Sequence, residues 1–196
     1  MSDLKEQLCT KEKDSLEKLY RKVKGYAALH NIRLGACEST KKEARVDWIA
    51  SAMERKEILQ ALISDLRAGE SACLGYVYES GGFGEYIRIE PYWKETGLIY
   101  TVTDHEGFEH GVMTDVLMDF LRNDDANFLS QIRTSSFINS TVCAMTNLYG
   151  AVPYAKAYDI FQEITVMHQN VAYETFVETA TRFAEFREEC GVVPYQ

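Results

Sequence analysis

From Lys11 to His30 the apolar residues Leu16, Leu19, Tyr20, Val23 and Ala27 recur at three- and four-residue spacing, with Lys and Glu between them. That period is the side-chain repeat of a helix with one buried stripe, and a strand could not bury the same set on one face. Gly35 and the polar Glu38-Ser39-Thr40 interrupt it. Thr40-Lys41-Lys42-Glu43 then reads as a capping box, in which Thr40 and Glu43 satisfy each other's backbone N–H groups, and a second helical stretch starts there. Trp48, Ile49, Ala52 and Met53 form its apolar face, and Ile58, Leu59, Leu62, Ile63 and Leu66 continue the period to Gly69. One long helix, or two joined near Glu54-Arg55-Lys56-Glu57, both fit this pattern.

Between Ala72 and Val112 the period changes. Tyr76-Val77-Tyr78, Tyr86-Ile87-Arg88-Ile89 and Leu98-Ile99-Tyr100-Thr101-Val102 are rich in β-branched and aromatic residues and are expected as strands. The last runs through Asp104-His105-Glu106-Gly107 into Phe108 to Val112, which fits a hairpin whose Gly supplies positive φ. Beyond it the helical period returns. Thr114 is placed to cap a helix with Val116, Leu117, Phe120 and Leu121 inward, and Asp124 or Asp125 a short one through Ile132. Ser135 or Ser136 opens another that ends at Gly150, Pro153 opens one bearing Ala157, Ile160, Phe161 and Ile164, and Asn170 opens the last, with Phe176, Val177, Ala180, Phe183 and Ala184.

A chain of 196 residues, 46% of them hydrophobic, can bury one generous core or two small ones. Met1 to Thr10 is too charged for a signal peptide or a membrane span, so no membrane association and a cytoplasmic location are expected. The five cysteines, Cys9, Cys37, Cys73, Cys143 and Cys190, lie far apart with no C-x-x-C pair, and are expected to be reduced, Cys143 in the core. Charge is uneven along the chain. Residues 1–67 hold 14 Lys+Arg and 11 Asp+Glu, a formal +3, while residues 68–196 hold 7 and 19, a formal −12. The front can approach phosphates that the back would repel.

No catalytic motif assembles in the sequence. Asp104, His105, Glu106, Glu109 and His110 are the densest group of proton-moving and metal-ligating side chains. Hairpin alternation places Asp104, Glu106 and His110 on one side and His105, Gly107 and Glu109 on the other, without the compact spacing of a metal site; a solvated loop tip is the plainer expectation. Gly81-Gly82-Phe83-Gly84 lacks the spacing of a phosphate loop and is expected as a turn between strands. His168 is expected to cap a helix C-terminus. Tyr76, Tyr78, Tyr86, Tyr92, Trp93 and Tyr100 crowd the strand region beside only Arg88 and Lys94, among Glu79, Glu85, Glu90 and Glu95, which favours core or a protein-binding groove over stacking on nucleic acid.

Leu16 to Met53, with its amphipathic helix, Gly-containing loop and Lys41-Lys42-Glu43 entry into a second helix, resembles SAP and Rho N-terminal-type modules. That resemblance implies nucleic-acid contact through Arg33, Lys41, Lys42 and Arg45. Ile58 to Leu121 is similar in element order to winged-helix modules, and Leu148-Tyr149-Gly150-Ala151-Val152-Pro153 resembles a stretch of uncharacterised Gram-positive and phage proteins. A wing carrying Asp104, Glu106 and Glu109 would repel DNA rather than grip it.

The expectation is an α+β, predominantly helical protein: an N-terminal helical module over residues 1–56, then an acidic domain over 57–196 with a small antiparallel winged-helix-like insert and a C-terminal helical bundle. It is expected to act without cofactor or metal as a non-enzymatic regulatory or adaptor protein. The N-terminal module would contact nucleic acid, and Glu163, Glu174, Glu178, Glu185, Glu188 and Glu189 would bind protein. The alternative is a phage-type anti-defence inhibitor whose acidic surface blocks a nucleic-acid-binding protein.

Overall fold

The computed structural model describes residues 3–123, 126–164 and 171–186. In chain order the elements are α1 (Asp3–Thr10), α2 (Lys13–Leu29), α3 (Lys42–Met53), α4 (Lys56–Ser64), α5 (Ala68–Glu79), β1 (Phe83–Gly84), α6 (Pro91–Thr96), β2 (Ile99–Thr103), β3 (Glu109–Met113), α7 (Asp115–Arg122), α8 (Ala126–Tyr149), α9 (Tyr154–Ile164) and α10 (Tyr173–Phe186). The protein is therefore mostly helical, with a small antiparallel sheet between N-terminal and C-terminal helices. It divides into two compact units, residues 1–63 with 69–125, and residues 64–68 with 126–196. Residues 56 and 57, where the sequence suggested a boundary, both lie in the first unit.

In the first unit α1 and α2 pack on α3. The stripe Leu16, Leu19, Val23, Tyr26 of α2 is buried as its spacing requires. Helix α1 has a weaker signature, two leucines four residues apart, yet Leu4 and Leu8 are both fully buried. Asp3 caps two helices at once: Oδ1 accepts from Leu4 N at 2.7 Å and Oδ2 from Asp115 N, at the start of α7, at 2.8 Å. The expected cap of α7, Thr114, stands at the N-cap position but donates its hydroxyl to Leu98 O at 3.1 Å. The expected Thr40 capping box does not form either. Lys41 is the N-cap of α3 without a side-chain cap, and its N–H donates to Ser39 Oγ at 3.2 Å.

Two expected strands are corrected. Tyr76-Val77-Tyr78 is helical within α5, because Glu70, Cys73, Leu74 and Val77 are buried at helical spacing and that packing overrides β propensity. Tyr86 to Ile89 forms no strand, since Tyr86 takes φ +52 and turns the chain out of the sheet. The Gly81-Gly82 turn accordingly joins a helix, not a strand, to β1, with φ +76 and +95. A short helix the strand reading missed, α6, begins with Pro at its first turn and stops at Gly97 with φ +75. Its Trp93 is fully buried and donates Nε1–H to Glu70 O at 2.9 Å. The expected hairpin is present, and the sheet order is β1-β3-β2.

In the second unit α8, α9 and α10 pack together around Ile138, Val142, Ala157, Phe161, Phe176 and Ala180. The break expected at Ser135-Ser136 is absent, and α8 is one helix of 24 residues. Its hydroxyls bond back to preceding carbonyls, Ser136 to Arg133 O and Thr141 to Phe137 O at 2.8 and 2.9 Å, so they do not compete with the helix. Residues 64–68 join this unit through side chains: Asn139 Nδ2 donates to Leu66 O at 2.9 Å, Ala68 N to Ser140 Oγ at 2.8 Å, and Arg182 Nε to the fully buried Asp65 at 2.9 Å. Ile164, expected inward, is 64% exposed at the end of α9. Cys143 is buried as expected but belongs to a disulfide, whereas Cys9, Cys37 and Cys73 are free thiols. Spacing in sequence carries no information about which thiols approach in space, hence that correction. No helix among the described residues is long and apolar enough to cross a membrane. The caps expected of Asp124, Asp125, His168 and Asn170 lie outside the described residues.

Candidate functional site

The hairpin between β2 and β3 is organised by one carboxylate. Asp104 Oδ1 accepts from the N–H groups of Glu106 and Phe108, both at 2.9 Å, and Oδ2 lies 2.9 Å from His110 Nε2. Gly107, at φ +89, completes the turn. An ionised carboxylate only accepts, so the Nε2–H of His110 donates to it. Nδ1 is buried and has no hydrogen-bond partner. The His110 bond holds the Asp104 carboxyl below its usual range, against desolvation and with help from the two amides. Asp104 and His110 fall on the same side, as hairpin alternation predicts. His105 points away, with its side chain 90% exposed. Among the described residues no three His, Cys, Asp or Glu side chains gather as a metal site would need.

Around the buried His110 stand large exposed rings. Phe83 stacks on its imidazole at 5.2 Å between centroids, Tyr86 lies 5.4 Å away, and Phe108 meets Tyr86 edge-on at 5.3 Å. Tyr76, Phe83, Tyr86 and Phe108 are 46%, 43%, 68% and 47% exposed. Phe83, Tyr86 and Phe108, joined by ring contacts with one another or with His110 yet open to water, are the informative exception to burial. Tyr86 is moreover held in the left-handed region, which costs an L-residue about 1–2 kcal/mol. Packing of the next residues' side chains over a glycine goes with it. After Tyr86 the chain crosses the sheet over Gly111, where a Cβ would stand 2.4 Å from Ile89 Cδ1 and 3.2 Å from Ile87 Cγ2. A side chain at position 111 would therefore push this segment away.

The crossing segment carries Arg88, which is exposed and makes no ion pair or hydrogen bond among the described residues. Arg88 lines two shallow grooves of about 400 and 440 Å³. The first is lined by Tyr86, Ile87, Arg88, Lys94, Phe108 and Glu109, and the second adds Lys11, Ser15 and Glu95 around Arg88 and Lys94. The other cations are engaged. Lys94 lies 3.7 Å from Glu109, Lys11 donates to Lys94 O, and Lys22 pairs with Glu95 at 3.1 Å. Burial lowers the Lys11 pKa, so this ammonium holds its proton less firmly than an exposed lysine would.

The residues singled out from sequence lie elsewhere. Arg33 and Lys41 are exposed and Lys42 is half-buried, and none of the three has an ion pair among the described residues. Arg45 is differently placed: its guanidinium stacks 3.7 Å from the Tyr20 ring centre and its Nε lies 3.2 Å from Glu17 Oε2, with the side chain 12% exposed. The loop before α3 is tethered by Trp48 Nε1–H to Gly35 O and Arg55 to Arg33 O, each at 2.6 Å. Glu163 lies on α9, and Glu174 and Glu178 on α10, all exposed. The side chains of Glu185, Glu188 and Glu189 lie outside the described residues. Phe83, Phe108 and the Asp104–His110 pair escaped sequence reading as one site; their signal was present only as apolar residues, Phe83 and Phe108, inside turns where burial gives no reason for them. Compared with known protein families, curated proteins and solved structures, the chain matches none of them.

Proposed function

We propose that the chain is a non-enzymatic regulatory or adaptor protein that binds another protein through the aromatic patch on its hairpin. The observation that carries this reading is the set of Phe83, Tyr86 and Phe108, each more than 40% exposed, with Phe83 held by pairing to β3, Phe108 by the Asp104 turn and Tyr86 by its ring contacts with Phe108 and His110. Rigid aromatic surface of this kind supplies contact area at small entropic cost, and Tyr and Arg dominate interface hot spots. A protein partner fits better than nucleic acid, because among the described residues Arg88 alone of the groove cations is uncommitted. A phosphate backbone is gripped by several cations, with affinity that falls steeply with salt. The test is a photoreactive benzoylphenylalanine in place of Phe108, in cells producing the full chain. Protein adducts that Tyr86→Ala diminishes are expected; adducts to nucleic acid alone, or protein adducts indifferent to Tyr86→Ala, would contradict the reading.

A second reading keeps the N-terminal contact with nucleic acid, since Lys41 and Lys42 stand at the entry of α3 and they and Arg33 have no ion pair among the described residues. It predicts that the full chain binds short single- or double-stranded oligonucleotides and that Lys41→Ala with Lys42→Ala lowers the salt slope by about 2. Binding that is absent or independent of salt would remove it.

A further inference from the structure

We infer that the partner presents an acidic side chain next to a bulky apolar one in a short extended segment, the carboxylate seated on Arg88 and the apolar residue on Tyr86 and Phe108. This rests on the protein-binding reading above and names the chemistry of its occupant. Three observations lead to it. Arg88 has no ion pair or hydrogen bond among the described residues, and it lines both grooves, so an occupant of either meets it. Together the groove walls hold Lys11, Arg88 and Lys94 against Glu95 and Glu109, a local formal charge of +1 in a protein of −9. An acidic ligand is thus repelled by most of the surface and accepted here, which gives the site selectivity by charge. The guanidinium suits a carboxylate in particular, because its planar pair of N–H donors matches the two oxygens. Beside it, Tyr86, Ile87 and Phe108 form the apolar wall on which a large side chain loses its water.

The groove is also open in the way a segment, rather than a small molecule, requires. The two grooves share Arg88 and Lys94 in their walls, and both are open to solvent instead of enclosed. Among the described residues, Glu109 and His110 of β3 have no partner in the two-residue β1.

The probe is a phage-displayed library of random peptides selected on the immobilised full chain. Enriched peptides are expected to carry Asp or Glu within two positions of Phe, Tyr, Trp or Leu. Synthesised singly, they should lose about tenfold or more in affinity on Arg88→Glu, the loss of one charge-assisted bidentate contact. Replacing the acidic residue of the peptide by Lys should restore binding to Arg88→Glu, an outcome that mere misfolding of the variant could not produce. Enriched peptides that lack acidic residues yet depend on Tyr86 and Phe108 would overturn this inference and leave the protein-binding reading standing. Peptides indifferent to all three positions, or failure to enrich any, would overturn both. Preferential binding of an oligothymidine probe that Arg88→Glu abolishes would transfer the site to nucleic acid and overturn the inference as well.

Discussion

At Asp104 one carboxylate accepts the amides of Glu106 and Phe108 and the imidazole of His110, so the position of Phe108 depends on its charge. Because its folded pKa is depressed, this carboxylate contributes stability above its ordinary value of 3.8, lost as pH falls below 3.8 and through the lower folded value. Hydrogen exchange, corrected for intrinsic rates, should show the Glu106 and Phe108 amides losing protection over that acid range and in Asp104→Ala at neutral pH. Amides equally protected on both sides of pH 3.8 would contradict this. Arg45 makes the opposite case for a sequence-derived site residue. The resemblance to nucleic-acid-binding modules implied phosphate contact for it, but its guanidinium lies on Tyr20 beside Glu17. Arg45→Ala is expected to lower stability by about 0.5–2 kcal/mol in urea denaturation. Charge type was readable from sequence here; which charges were already spent on neighbours was not.

At the scale of elements, amphipathic stripes were legible and local propensity was not a safe guide. The α2 stripe and the β2–β3 hairpin appear where spacing and the Gly107 turn place them. The segment Tyr76-Val77-Tyr78 became helix because Cys73, Leu74 and Val77 bury together, and Tyr86 to Ile89 left the sheet because the chain crosses over Gly111. Both outcomes depend on packing partners distant in sequence, which no local window contains. The crossing makes a definite prediction. Gly111→Ala forces its Cβ against Ile89 and Ile87, so it should destabilise by about 1–3 kcal/mol and, by displacing Tyr86 and Arg88, weaken peptide binding beyond what the stability loss explains. An alanine variant with unchanged denaturation midpoint and unchanged binding would show that the crossing does not position the site.

Across the whole molecule, the charge division seen along the sequence is redistributed by folding. The +3 and −12 segments do not become two bodies, because residues 69–125 join the basic N-terminal helices in the first unit. That unit carries 16 Lys+Arg and 22 Asp+Glu, a formal −6, and the second carries 5 and 8, a formal −3. A basic front opposed to an acidic back therefore gives way to two acidic units, the first with a local cationic groove. Covalent organisation was equally hidden: alkylation without reductant should label Cys9 and Cys37 but leave Cys143 unmodified until reduction, as mapped by peptide mass spectrometry. In the second unit Arg182→Ala removes a donor from the buried Asp65 and should cost about 1.5–3 kcal/mol in denaturant unfolding. Hydrogen exchange of the full chain saturated with a selected peptide reads directly where a partner lands. Protection should rise over residues 85–90 and 106–110 and remain unchanged over residues 33–45 and along α9 and α10. Protection confined to residues 33–45, or to α9 and α10, with the hairpin unaltered, would contradict it.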